Sequence, residues 1–270
     1  MKIGFIGDVV GRPGRGMIEA HLRLLRDEFG IDFVVANTEN ASHGFGLTIK
    51  NAHELFGMGI DAMSGGNHTW DRKELEEVLD DLPILRPYNL PLGVVGRGAL
   101  VFDVKGEKLG VINLMGHFSM PMCDNPFVSV KEAVAHVKEQ GAQNIFIDFH
   151  AESTSEKAAL FAMLKGEISA LIGTHTHVGT DDMSIDKGTL FLSDVGLSGC
   201  RDGVIGVDKE APLKRFLTGL PAAFEIPSKC KKVFQMAIFT LEGGKCSDAF
   251  KIKIFESGER FIQKAYHEQL

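Results

Sequence analysis

The chain has 270 residues, of which 44% are apolar and 24% are charged, and its formal net charge is −7 at pH 7. This composition is typical of a globular protein and excludes a disordered, collagen-like or disulfide-rich chain. The excess of 36 Asp+Glu over 29 Lys+Arg argues against a surface that holds nucleic acid by bulk positive charge. A phosphate-bearing ligand must therefore be small or held locally.

The sequence shows no pattern for a membrane span, for export or for a thiolate metal site. The longest apolar runs fall far short of the ~18 residues that cross a bilayer. The run after Met1 is interrupted at Asp8, too early for a signal peptide. The cysteines are Cys123, Cys200, Cys230 and Cys246. Because they form no C-x-x-C pair, we expect buried, unreactive thiols without a disulfide framework. Since the sequence shows neither a membrane span nor a signal peptide, we expect a cytoplasmic protein with no membrane association.

In the first part of the chain, short apolar runs alternate with helical periodicity. Strands are predicted at residues 2–7, 32–37 and 60–63. A loop is predicted at residues 9–16, followed by a helix to residue 29 with Gly30 as its C-terminal cap. A second helix begins after Thr48 as N-cap and ends at Gly57, and a third, short helix covers residues 75–79.

The alternation breaks at residues 99–104 and 109–114, two apolar runs that predict a hairpin. It resumes with a helix over 130–137, a strand at 144–149, a helix at 155–164 and a strand at 168–172. The last third predicts strands at 190–192, 223–226, 233–241 and 250–255, with one helix at 209–216. No linker or repeat divides the chain, so we expect one α/β domain over residues 1–270 with a layered, mixed-sheet core.

Polar side chains follow one predicted strand after another. They are Asp8, Glu39, Asn40, Asn67, His68, His150, His175 and His177. Since the carboxyl ends of strands in α/β sheets converge on one edge, we expect these side chains to form one site. Carboxylate, amide and imidazole ligands without a thiolate suit iron, manganese or zinc. Two such ions ~3.5–4 Å apart generate a hydroxide at neutral pH and hold the oxygens of a phosphoryl group.

Several segments resemble, in order and spacing, the motifs of the calcineurin-like metallophosphoesterases and, more closely, of the bacterial YmdB-like phosphodiesterases. They are FIGDVVG (5–11), ENASHG (39–44), GNHTWD (66–71), DFHAE (148–152) and GTHTHV (173–178). The similarity continues through residues 194–196 and 214–216, so it covers most of the chain. The resemblance implies an αββα sandwich of mixed β-sheets with flanking helices, and a homo-oligomer. It also implies a two-metal phosphodiesterase acting on small cyclic nucleotides, especially 2′,3′-cyclic ones.

Two departures from the wider superfamily occur together, as they do in the YmdB-like subgroup. The usual Asp-x-His is replaced by Asp8-Val9-Val10, and Glu39 stands where the superfamily has a bridging Asp. By this resemblance one ion would be bound by Asp8, Glu39, Asn40 and His177, and the other by Glu39, Asn67, His150 and His175. The expected cofactors are therefore two divalent ions, iron or manganese first and zinc as a further option.

His68 lies outside this ligand set and is expected to be catalytic. A hydroxide bridging the two ions would attack phosphorus in line, and His68 would protonate the leaving alkoxide. His43 and Gly44 either contact the substrate phosphate or form a tight turn. Asp194 either orients a liganding imidazole or caps a turn.

Two neighbours of His68, Trp70 and Asp71, are expected to fix the loop rather than touch substrate. His117 stands where the YmdB-like proteins usually have Arg, which leaves its role open. Two other functions also stay open: a nucleotide-sensing regulatory metalloprotein with little turnover, and a phosphomonoesterase on the same core. A general acid at position 68 favours an enzyme, because a binding protein requires none.

Overall fold

Two mixed β-sheets pack face to face at the centre of the structure, a computed structural model that describes residues 1–268. The strands are β1 (Lys2–Ile6), β2 (Phe33–Asn37), β3 (Ala62–Ser64), β4 (Ala99–Val104), β5 (Glu107–Met115), β6 (Asn144–His150), β7 (Ala170–Thr174), β8 (Ser184–Asp186), β9 (Thr189–Leu192), β10 (Gly199–Cys200), β11 (Lys232–Glu242), β12 (Lys245–Phe255), β13 (Arg260–Lys264) and β14 (Tyr266–His267). The first sheet has the order β13-β12-β11-β1-β2-β3, with β10 beside β11. The second has the order β14-β8-β9-β7-β6-β5-β4.

The helices are α1 (Gly11–Phe29), α2 (Ile49–Gly57), α3 (Pro126–Glu139), α4 (Thr154–Leu164) and α5 (Glu210–Thr218), with a 3₁₀ helix at Lys73–Glu77. The first four cover the outer faces of the two sheets, whereas α5 buries only Pro212. Leu22 of α1 and Leu55 of α2 pack in one apolar cluster with the first sheet. Val134 of α3 and Leu160 of α4 pack in another with the second sheet. The predicted αββα sandwich is confirmed.

A third apolar cluster fills the space between the sheets. Phe5 of β1 and Phe146 of β6 meet there with ring centroids 4.8 Å apart, in an edge-to-face arrangement that aromatic pairs prefer. Both strands are buried along most of their length, which explains why they read as apolar runs rather than alternating ones. The core thus fixes the sheets so that the ends of β1 and β6 lie on the same side of the molecule.

The local signals for caps and turns are confirmed. Gly30 ends α1 with a φ of 64° and donates its N–H to Arg26 O, while the Thr48 side chain accepts the N–H of Asn51 at the start of α2. β4 and β5 form the predicted antiparallel hairpin. Its turn residues Lys105 and Gly106 both have positive φ, as a tight two-residue hairpin turn requires.

Two predicted elements were wrong. Residues 9–16 are not a loop, because α1 already begins at Gly11; Pro13 lies in its first turn, where the missing N–H costs nothing. Residues 223–226 form no strand. Instead the side chain of Ile226 packs over the backbone of Gly11 and Gly44, so its apolar character serves a loop contact.

Cys200 and Cys230 form a disulfide, which corrects the expectation that all the cysteines remain thiols. The two residues are 30 positions apart, so no short cysteine motif marks them. β10 pairs with the start of β11, with Cys200 opposite Lys232, and Cys230 comes two residues before Lys232. This pairing brings the two sulfur atoms together. Cys123 and Cys246 are free and buried, as expected. Within residues 1–268 no helix has both the length and the apolar character needed to cross a membrane.

Candidate active site

The structure brings the predicted polar residues to one edge, where the carboxyl ends of strands from both sheets meet. β1, β2 and β3 run parallel to one another, and so do β5, β6, β7 and β9. His150 is the last residue of β6, and Asp8, Glu39, Asn67 and His175 follow β1, β2, β3 and β7 within three residues. The site therefore joins residues from distant parts of the chain, as the strand-end argument predicts.

Polar atoms converge on Nε2 of His150. Asn67 Oδ1 lies 2.9 Å away, His175 Nδ1 3.1 Å away and Glu39 Oε1 3.2 Å away. One imidazole nitrogen cannot satisfy all three neighbours by hydrogen bonding. Glu39, His150 and His175 are also the His and acid residues whose ligand atoms come close enough together for one ion. These three residues could therefore hold one metal ion.

A second group of polar atoms surrounds the buried carboxylate of Asp8. Its Oδ2 accepts the backbone N–H of His175 at 3.1 Å, whereas its Oδ1 has no hydrogen-bond partner within the described chain. His177 Nε2 lies 3.7 Å from that orphaned oxygen and 3.2 Å from Asn40 Nδ2. A buried carboxylate oxygen without a partner is costly in an empty protein and natural beside a cation.

Gly66 keeps the space between the ligand residues open. A Cβ at this position would collide with the His150 ring and with the Glu39 carboxylate. Together with the orphaned oxygen of Asp8 and the nitrogen and oxygen donor atoms, this space fits divalent metal ions. The residues present therefore agree with the metal cofactors that the sequence predicts.

Glu39 and His150 form a buried ion pair in the metal-free state. Burial alone would raise the pKa of the Glu39 carboxyl, but the neighbouring His150 outweighs it and lowers the pKa to about 2. Burial likewise opposes the charged form of His150, but Glu39 raises its pKa to about 9. Burial and the charge on His150 lower the pKa of His175 to about 3. Without a metal ion, His150 therefore carries a positive charge that balances Glu39.

A hydrogen-bond network that the sequence analysis did not identify supports His150 from behind. Thr174 Oγ1 lies 3.0 Å from His150 Nδ1 and donates to Asp148 Oδ1 at 2.7 Å. Asn37 Nδ2 and Ser64 Oγ donate to the other oxygen of Asp148 at 3.0 and 2.5 Å. Burial raises the pKa of Asp148 to about 6 despite these donors. Such outer contacts fix the orientation of a liganding imidazole.

Asp194 contacts residues 175–177, which we call the histidine loop, through Thr176 and not through an imidazole. It accepts hydrogen bonds from the backbone N–H and the hydroxyl of Thr176 at 3.1 and 2.8 Å. The fully buried Lys157, which the sequence analysis did not identify, lies 3.0 Å from Asp194 Oδ2 and donates to Thr174 O at 2.9 Å. The loop carries His175 and His177, both with positive φ, so this pair holds a strained segment in place.

His68 lies at the rim of the site. Its backbone N–H donates to Glu39 Oε2 at 2.8 Å, and its Nδ1 lies 2.8 Å from Asp71 Oδ2. The Phe45 ring meets the imidazole edge-on, with centroids 4.9 Å apart. The ring is therefore oriented by Asp71 and Phe45 and stays partly exposed.

The residues predicted with two alternative roles lie further out. His43 is exposed and lines a cavity of about 800 Å³ beside α1, together with Arg12 and Arg15. Gly44 has a φ of 91°, and a Cβ there would lie 2.8 Å from Ile226 Cδ1, so the backbone turn requires glycine. His117 is exposed, and its backbone N–H donates to Glu156 at 2.8 Å.

Comparison with known proteins identifies relatives over nearly the whole chain. A 2′,3′-cyclic-nucleotide 2′-phosphodiesterase of Bacillus subtilis (strain 168) is 46% identical over 228 residues, which cover 84% of this chain and 86% of that protein. The crystal structure of a phosphatase from Mycoplasma pneumoniae, described as novel, superimposes with a TM-score of 0.88 at 34% identity. This match covers 94% of this chain and 93% of the other.

A more distant likeness concerns the fold alone. A 5′-nucleotidase precursor from Thermus thermophilus matches 98% of this chain with 54% of its own, at a TM-score of 0.55 and 13% identity.

The profile described as YmdB-like protein matches residues 5–253. That range contains every residue of the candidate site. The chain therefore belongs to the family of YmdB-like proteins.

Proposed function

We propose that this protein is a metal-dependent phosphodiesterase that hydrolyses small cyclic nucleotides, with 2′,3′-cyclic nucleotides as its substrates. The observation that carries the proposal is the convergence of Asn67, His175 and Glu39 on His150, with His68 held at the rim by Asp71. The substrate class is that printed in the name of the Bacillus relative. The catalytic domain would comprise residues 1–270.

We assign the metal ligands as the resemblance implies. Asp8, Glu39, Asn40 and His177 would hold one ion, and Glu39, Asn67, His150 and His175 the other. The unpartnered Oδ1 of Asp8 supports the first set and the crowded Nε2 of His150 supports the second. We propose iron or manganese, since mixed nitrogen and oxygen donors without a thiolate suit these metals, with zinc as a further option.

The chain's own residues would perform the proton transfer and the positioning. Divalent ions at this site supply Lewis-acid activation of water and of the phosphoryl oxygens. Hydrolysis adds water across one ring P–O bond of the cyclic phosphate, and the departing ribose oxygen needs a proton. His68 donates that proton from the ring nitrogen that does not face Asp71. Asp71 and Phe45 hold the imidazole in the orientation that this transfer requires.

A substrate panel tests this function. The metal-reconstituted protein is assayed against bis(p-nitrophenyl) phosphate, p-nitrophenyl phosphate and 2′,3′-cAMP, with iron or manganese present. We expect hydrolysis of both diesters and a higher kcat/KM for 2′,3′-cAMP than for the monoester. The absence of hydrolysis would favour a nucleotide-sensing regulatory protein.

A phosphomonoesterase is the second candidate. The Mycoplasma structure that superimposes on this chain is described as a phosphatase, and both reactions use the same metal core. Preference for the monoester in the same panel would establish it. Cytoplasmic location and homo-oligomeric assembly stay predictions; cell fractionation and the mass of the purified protein in solution test them.

A further inference from the structure

A cationic groove leads away from His177 along β12. It consists of two adjoining cavities of about 330 and 440 Å³, which share Gly179, Lys253 and Phe255. His177 and Arg201 line the first cavity, and Lys251 and Phe261 line the second. We call the surface formed by Arg201, Lys251, Lys253, Phe255 and Phe261 the β12 groove. His177, which belongs to the candidate metal site, lines the first cavity, so the groove adjoins that site.

The strand register explains why these side chains share one face. Lys251, Lys253 and Phe255 alternate along β12 and therefore point to the same side of the sheet. Lys253 pairs with Gln235 of β11 on one side and with Phe261 of β13 on the other. Ala249, on the same side of β12, is buried between the sheets. The groove thus forms where the inter-sheet core ends.

The groove carries positive charge at Arg201 and Lys253 that no ion pair neutralises, although Asp181 also lines the second cavity. Within residues 1–268, no carboxylate lies within 4 Å of the cationic groups of Arg201 or Lys253. By contrast, the neighbouring Lys232 pairs with Glu256 at 2.7 Å. Lys251 contributes less to this charge, because its side chain is buried and its Nζ donates to Thr180 O. Burial, more than the adjacent Lys253, lowers its pKa to about 8. In a chain with a net charge of −7, such a strip indicates an anionic ligand.

Aromatic rings accompany the cations. Phe261 is 51% exposed, which is unusual for a phenylalanine, and its ring centroid lies 5.7 Å from that of Phe255. The guanidinium of Arg201 lies 4.5 Å above the Phe255 ring. A basic groove lined by aromatic rings is the arrangement that binds single-stranded nucleic acid, in which phosphates meet the cations and bases stack on the rings. A free mononucleotide has no second phosphate to place there.

We infer that the β12 groove binds the nucleotides preceding a terminal 2′,3′-cyclic phosphate, so that short single-stranded oligoribonucleotides with this 3′ end are substrates. The inference rests on the proposed function, since the terminal ring must reach the metal site. It agrees with the acidic overall charge, because a local strip holds a few nucleotides without a basic surface. RNA is required because the cyclic phosphate needs a 2′-hydroxyl.

Kinetic discrimination between chain lengths tests the inference. The measured quantity is the ratio of kcat/KM for a tri-ribonucleotide ending in 2′,3′-cyclic phosphate to kcat/KM for 2′,3′-cAMP. We expect a ratio of about ten or more for the unmodified protein. Lys253→Gln and Phe261→Ser should each lower the ratio about fivefold or more, as expected for loss of a phosphate contact or a stacked base. Lys138→Gln, an equal charge change at an exposed position of α3, should leave the ratio unchanged.

A binding measurement separates failure of the groove from failure of the proposed function. Fluorescence anisotropy of a labelled tri-ribonucleotide with a 3′-phosphate should give a Kd about fivefold higher for Lys253→Gln than for the unmodified protein. The slope of log Kd against log salt should fall by about 0.7. A kinetic ratio near one with intact 2′,3′-cAMP hydrolysis, or a Kd insensitive to Lys253→Gln, overturns the inference. If neither substrate is hydrolysed but the oligonucleotide binds as expected, the proposed function is wrong. The oligonucleotide is then not a substrate.

Discussion

The Nδ1 atom of His68 lies 2.8 Å from Oδ2 of Asp71, three residues further along the same turn. The backbone N–H of Asp71 in turn donates to His68 O at 3.1 Å, so the turn itself fixes the pair. Glu39 accepts the backbone N–H of His68 and thereby ties this turn to the ligand cluster. The imidazole is held at one nitrogen, and its other nitrogen remains for the substrate.

Replacement of His68 separates catalysis from metal binding. His68→Ala should lower kcat roughly 10²–10⁴-fold, the usual contribution of a general acid, because the leaving ribose oxygen then departs without a proton. The metal content, measured by elemental analysis of protein purified without chelator, should not change, since His68 lies outside the assigned ligands. Unchanged turnover would exclude a general-acid role for His68.

Asp71 is expected to act on the reaction only through His68. Asp71→Asn keeps an acceptor oxygen near Nδ1 but replaces a hydrogen bond to a carboxylate with a weaker one to a neutral amide. We expect kcat to fall roughly 10- to 100-fold, with KM and metal content unchanged. Steady-state kinetics with 2′,3′-cAMP give both parameters. A rise in KM at constant kcat would instead show that Asp71 contacts the substrate.

Gly66 tests the geometry of the metal site without removing any ligand. Gly66→Ala places a Cβ against the His150 ring and the Glu39 carboxylate, both fixed by buried contacts. The bound metal should fall below half of that in the unmodified protein, while the far-UV circular dichroism is retained. Gly16→Ala is the matched control, because no atom lies within 4 Å of the added Cβ on α1. Equal metal content in the two variants would contradict the assigned site.

Metal affinity should depend on pH through His150. Burial opposes a charged His150, but Glu39 raises its pKa to about 9, so below pH 9 the metal-free site carries a proton that an ion must displace. Glu39, with a pKa lowered to about 2, stays ionised throughout and adds no pH dependence. The apparent association constant for Mn²⁺ should rise about tenfold per pH unit from 7 to 9 and then level off. Calorimetric titration checks this, and a constant affinity would show that His150 is already neutral.

The sequence predicts the parts of this protein that depend on local pattern. The cap at Thr48, the αL residue Gly30 and the turn at Gly106 follow from short-range preferences, and all are confirmed. The polar residues at strand ends were found because they interrupt apolar runs. The prediction began α1 too late, because the start of the helix is rich in glycine and contains Pro13, a composition typical of a loop.

Features that depend on contacts between distant segments were not predictable from one sequence. The Cys200–Cys230 disulfide arises because β10 pairs with β11. Asp148 reads as one polar residue in an apolar strand, yet it organises the hydrogen bonds behind His150. In the sequence, Lys251 and Lys253 alternate with apolar residues, a pattern typical of a strand that has one face in solvent. Their place beside His177 depends on the packing of the two sheets.

Lys157 is the clearest such case, since a lysine in a helix is usually exposed. Its side chain is fully buried and pairs with Asp194, which holds the histidine loop through Thr176. Lys157→Met would leave the Asp194 carboxylate buried without its cation. We expect the free energy of unfolding, from urea denaturation of the metal-free protein, to fall by about 3–5 kcal/mol.

The matched control for this prediction is Lys165→Met, which breaks the ion pair with Asp186. The Asp186 side chain is 14% exposed and that of Lys165 34%, whereas Asp194 is 1% exposed, so water reaches the carboxylate that remains at Asp186 far better than the one at Asp194. The loss of stability should be at most about 1 kcal/mol. The difference between the two variants then measures the cost of leaving Asp194 buried and unpaired. Similar losses in both variants would contradict the prediction and show that the buried ion pair of Lys157 and Asp194 stabilises the protein no more than an exposed one.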